Sequence, residues 1–93
     1  MKTSLRSQQL ASVVTEVLPR ILLGLTTPNQ VGFLTVVMVE ISGDLGIVLV
    51  RLSAIGAPAG WLQNIESKKK KIRYEILKQV ELRREFELRL MAV

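Results

Sequence analysis

The sequence predicts an α+β fold of two layers, a three-stranded sheet with helices on one face, in the order helix, strand, strand, kinked or split helix, strand. Three observations lead there. Apolar residues near the N-terminus recur at helical spacing. Two runs rich in β-branched residues follow, separated only by turn chemistry. The last residues alternate apolar and polar. At 93 residues and 48% hydrophobic content the chain has material for one domain, spanning residues 1–93.

The first helix is predicted from Gln8 to about Leu23. Leu10, Val13, Val14, Val17, Leu18, Ile21, Leu22 and Leu25 keep the three-then-four rhythm of an amphipathic stripe. Gly24 suits a C-terminal cap and Pro28 prevents continuation. Pro19 sits off the stripe. Either the helix kinks toward solvent there or it breaks near residue 18. Thr26–Gln30 has loop composition. Gly32–Ile41 and Leu45–Leu52 read as strands, and Ser42-Gly43-Asp44 joins them as an antiparallel hairpin. Phe33 is expected in the core with Phe86.

After the loop Gly56–Gly60, a second helical region runs from Trp61 to about Lys78. Its stripe is Trp61, Leu62, Ile65, Ile72, Ile76 and Leu77, with Lys69 where an apolar residue belongs. Either Lys69 snorkels along its aliphatic stem or the helix bends between Ser67 and Lys70; the bend is the expected solution. Phe86, Leu88, Leu90 and Ala92 alternate with charged residues as a half-buried third strand. If Glu40, Arg51 and Arg89 point away from the helices, Met38, Leu49 and Met91 share that open face.

Composition narrows the chemistry. There is no cysteine for disulfide or thiolate chemistry and no histidine to act as a base near neutral pH. Glu40 and Asp44 flank a turn without metal-ligand spacing, and no nucleophile or phosphate-cradling glycine loop is present. An enzyme is not expected, nor a cofactor, a metal or a small-molecule substrate. The uncharged stretch Ile21–Val39 is interrupted by Thr26–Gln30, so no membrane span is expected, and nothing resembles a signal peptide.

The net charge of +5 is uneven. Residues 1–60 carry a surplus of one positive charge and residues 61–93 a surplus of four. Lys68-Lys69-Lys70-Lys71 with Arg73 is the sharpest feature. It is either a phosphate-binding patch or a solvated helix surface. Lys78, Arg83 and Arg84 extend it, unless Glu75 and Glu81 pair with them. Trp61 and Tyr74 are candidates for stacking on bases, against core packing for Trp61.

The element order matches type II K-homology domains, and a series of short motifs resembles the ribosome-binding factor A family. Arg6-Ser7-Gln8-Gln9-Leu10-Ala11 resembles the family's opening pattern. Thr27-Pro28-Asn29-Gln30-Val31-Gly32 stands at its Asp-Pro-Arg-hydrophobic-Gly turn. Val39-Glu40-Ile41-Ser42-Gly43-Asp44-Leu45 resembles its valine-glutamate pair and Ser-x-Asp-Leu turn. Ile72-Arg73, Leu82-Arg83 and Phe86-Glu87-Leu88 follow in family order. The chain departs where the family has a small Ala-x-Gly kink, since Lys68, Lys69 and Lys70 stand there. Pro19 is unusual, and Phe86 replaces a proline.

The resemblance implies a single KH-like RNA-binding domain acting in the cytoplasm as a ribosome maturation factor. It would bind the small (30S) ribosomal subunit, assist 16S rRNA processing and late assembly, and support growth in the cold. The chain has no Gly-x-x-Gly loop between its helices, so backbone and shape recognition of rRNA is expected rather than base reading. The expected RNA contacts are Lys68, Lys69, Lys70, Lys71 and Arg73, with Arg6, Lys78, Arg83 and Arg84 behind them. Two other readings remain open: a KH-type RNA-binding module outside the ribosome, and a protein-interaction or membrane-surface module.

Overall fold

The computed structural model describes all residues, Met1–Val93, as α1 (Leu5–Leu25), α2 (Pro28–Val31), β1 (Phe33–Ile41), β2 (Ile47–Ile55), α3 (Trp61–Glu66), α4 (Lys69–Leu77) and β3 (Glu87–Ala92). The sheet order is β1-β2-β3. β1 and β2 form the expected antiparallel hairpin. β3 runs parallel to β2, so a crossover must return the chain to the same end of the sheet, and α3 and α4 supply it.

α1 starts three residues earlier than the predicted Gln8. Ser4 and Ser7 form a reciprocal capping box, each backbone N–H donating to the other's hydroxyl, at 2.7 and 3.1 Å; such a cap stabilises a helix by about 1 kcal/mol. α1 also ends later. Gly24 lies inside it, and the cap is Thr26, whose N–H and hydroxyl both donate to the Leu22 carbonyl. Pro19 does not break the helix. It is exposed, so the Thr15 carbonyl it leaves without a helical partner lies on the solvent side, where water can serve it. Residues 28–31 are not a loop. Pro28 takes the first position of a helical turn and Gln30 closes a capping box with Thr27. Gly32, at φ 66°, then turns the chain into β1, and a Cβ there would lie 2.5 Å from the Ile55 carbonyl oxygen.

The hairpin carries one irregularity. Val36 pairs with Leu52 and Met38 with Arg51, leaving Val37 as an extra residue in β1. That bulge reverses which parity faces inward. Val39 and Ile41 are buried, whereas before the bulge Leu34 and Val36 pack against the core. Phe33 is therefore not a core residue: it is 70% exposed, opposite the 71% exposed Ile55. Leu23 is exposed as well, so this end of the molecule is apolar. The open face otherwise follows expectation, with Met38 and Met91 exposed beside Arg51 and Arg89.

The core joins 17 buried residues between the helices and one sheet face. Val14 and Leu18 of α1, Ile65 of α3, Ile72 and Ile76 of α4, and Phe86 ahead of β3 are each almost wholly enclosed. Burying such side chains contributes about 1.5–3 kcal/mol apiece. Trp61 is half-buried against this cluster.

Candidate nucleic-acid interface

The second helical region is split at Ser67–Lys68, within the bend expected between Ser67 and Lys70. With no glycine at the break, two polar residues hold it. Ser67 donates its hydroxyl to the Asn64 carbonyl at 2.6 Å. The Lys68 ammonium donates to Asn64 Oδ1 at 2.8 Å and to Gln30 Oε1 at 3.3 Å, tying α2 to the α3–α4 junction. Lys69 turns back to Glu66, Nζ to Oε2 at 2.9 Å. Ile65 and Ile72 thus both reach the core on either side of the break, while Lys69, which lies between them on the same stripe, pairs with Glu66 instead.

At about 100° per residue, α4 separates its residues by position. Ile72 and Ile76 point to the core. Lys70, Lys71, Tyr74 and Lys78 lie away from that buried pair, on the groove side of the helix. Neither Lys70 nor Lys71 has a carboxylate within ion-pair reach. The first turn of α4 carries Lys69, Lys70 and Lys71 and no acid. This reverses what the helix dipole favours, at a cost of about 0.3–1 kcal/mol per exposed charge, and an anion docked there would relieve it.

These side chains border an open groove. Lys68, Lys70, Lys71 and Arg73 line it, Tyr74 stands on it, and Leu25 and Leu77 give it apolar walls; Glu75 also borders it. A second hollow adjoins across Tyr74 and Leu77, lined by Lys78, Glu81 and Arg84. Six of the nine expected contact residues thus lie along one strip.

The other three are engaged elsewhere. Lys69 is paired with Glu66. Arg83 donates to Glu85 at 3.0 Å and lies 3.8 Å from Asp44. Arg6 lies 3.8 Å from Glu81, between two exposed side chains, a contact that holds either group weakly. Within the strip, Arg73 has internal work. Its Nε donates to the Phe86 carbonyl at 3.0 Å, its terminal nitrogen donates to the Arg84 carbonyl at 2.8 Å, and its guanidinium lies 4.9 Å from the Phe86 ring centroid. Lys78 lies 3.4 Å from Glu75 and 5.2 Å from the centre of the Tyr74 ring. The most available cations are therefore Lys70, Lys71 and Arg84. Leu25 and Leu77 were missed as site residues because both read as ordinary members of apolar stripes.

The hairpin turn between β1 and β2 is built for structure. The Ser42 hydroxyl donates to Asp44 at 2.7 Å and accepts from the N–H groups of Gly46 and Ile47. The Ser42 hydroxyl and Gly46 N–H, with the nearby Arg83 guanidinium, hold the Asp44 carboxyl below its ordinary pKa. Backbone hydrogen bonding and Arg83 do the same for Glu85. No helix is long and apolar enough to cross a membrane.

No protein-family model matches the chain, and no curated protein matches it significantly. Solved structures do. The crystal structure of ribosome-binding factor A from Thermus thermophilus superposes with a TM-score of 0.80 at 21% identity, over 92% of this chain and 94% of that one. The solution structure of a Thermotoga maritima protein assigned provisionally as a ribosome-binding factor A gives 0.77 at 26% identity, over 97% and 89%. Element order, the mixed three-stranded sheet and these two superpositions show that the chain has the fold of ribosome-binding factor A.

Proposed function

We propose that this chain is a non-catalytic ribosome maturation factor of the cytoplasm that binds the small ribosomal subunit and assists 16S rRNA processing and late assembly. One observation carries the reading furthest: within a fold shared with proteins named for ribosome binding, α4 presents Lys70 and Lys71, unpaired, on the rim of an open groove. Lys70, Lys71 and Arg84 contact rRNA phosphates, with Lys68, Lys78 and Arg73 bordering the same strip. Lys69, Arg83 and Arg6 join only by giving up their carboxylate partners. The protein then acts by differential binding, favouring one rRNA arrangement over others and leaving when that arrangement is gone.

Co-sedimentation with purified small ribosomal subunits over a salt series tests this. The expected result is binding at low salt that weakens by about 0.7–0.9 log units per phosphate contact for each decade of salt. Free migration at low salt would contradict ribosome binding. Binding indifferent to salt would favour a protein contact through the apolar Phe33–Ile55 end.

A further inference from the structure

We infer that the groove beside α4 accepts an unpaired nucleotide, its base stacked on Tyr74 and its flanking phosphates on Lys70 and Lys71. The inference rests on the RNA-binding reading above and specifies the RNA it takes. Tyr74 is 63% exposed, in a chain with only one other large polar-edged aromatic, Trp61, which is half-buried. The ring stands between the two hollows. Lys78 is the one cation over the ring, 5.2 Å from its centroid, and it lines only the second hollow.

That first hollow pairs apolar walls, Leu25 and Leu77, with a cationic rim, Lys70 and Lys71. Phosphate binding alone requires positive charge or N–H donors and no apolar wall. A concave apolar floor beside an exposed aromatic ring adds a place for a flat, uncharged group attached to a polyanion. A nucleobase joined to its phosphates has that make-up, and a base still paired within a duplex does not offer its face. Stacking is tolerant of base identity, which agrees with the lack of a Gly-x-x-Gly loop.

Fluorescence anisotropy with the full chain distinguishes the possibilities, using a labelled oligoadenylate of about eight to twelve nucleotides and an RNA duplex of the same length. Tyr74→Leu, which keeps an apolar side chain on an exposed site, is expected to weaken single-strand binding by roughly 5- to 100-fold. Tyr74→Phe is expected to hold the wild-type affinity, and duplex binding should change by less than about twofold in both. Single-strand affinity unaltered in Tyr74→Leu, or an equal loss on strand and duplex, would overturn the stacking site. If Lys70→Ala/Lys71→Ala lost both RNAs in that case, the RNA-binding reading would stand without it. Wild-type protein that bound neither RNA would overturn both.

Discussion

The two sides of α4 carry the same charge and use it differently. On the side facing the rest of the molecule, Lys68 joins α2 to the α3–α4 junction, Lys69 pairs with Glu66, and Arg73 clamps the segment leading into β3. On the solvent side, Lys70 and Lys71 have no carboxylate partner and border a groove. A run of four lysines is thus two functional groups. Helix geometry, the break at Ser67–Lys68 and the positions of a few acceptors decide which ammonium is spent on the fold and which is left for a ligand.

The comparison can be broken most sharply at Arg73. Arg73→Gln removes two charge-assisted hydrogen bonds to main-chain carbonyls and the contact with Phe86. It is expected to lower stability by about 1–2 kcal/mol in urea denaturation. An unchanged midpoint would mean that Arg73 belongs with the free cations. Lys68→Ala should cost less, about 0.5–1 kcal/mol, because its two acceptors are amide oxygens near solvent; a salt-dependent loss of RNA affinity without any loss of stability would move Lys68 to the outer group.

The smallest effect lies at the hairpin turn. Asp44 has a depressed pKa in the folded state, so its contribution to stability is present above its unfolded value and lost as pH falls through the ordinary carboxylate range and below. Thermal melts between about pH 5 and pH 2 should show a slightly shallower decline for Asp44→Asn than for the wild type. An identical decline would show that the turn does not depend on that charge.

Much of this architecture could be read in the residues. The α1 stripe, the hairpin and the alternation of β3 are each set by local periodicity, and Lys69 in a core position announced the helix break. What escaped reading depends on longer-range or singular events. Strict alternation back from Ile41 puts Phe33 inside, but one extra residue, Val37, inverts the pattern and puts it outside. The direction of β3 depends on the crossover, which leaves no periodic trace. The turn Pro28–Val31 is too short to show helical spacing, though Thr27 and Gln30 held its capping signal. For the site, a charge run announces cations without saying which of them face an internal acceptor. Lys68 and Arg73 were candidates equal to Lys70 until Asn64, Gln30 and the carbonyls of Arg84 and Phe86 were located in space.

The most direct measurement compares two double variants in binding to small ribosomal subunits across a salt series. Lys70→Ala/Lys71→Ala is expected to keep wild-type stability and to flatten the dependence of log affinity on log salt by about 1.5, the share of two phosphate contacts. Lys68→Ala/Lys69→Ala is expected to lose some stability and to keep most of the wild-type slope. Equal flattening by both pairs, or a wild-type slope in Lys70→Ala/Lys71→Ala, would contradict the division of α4 into an inner structural side and an outer binding side.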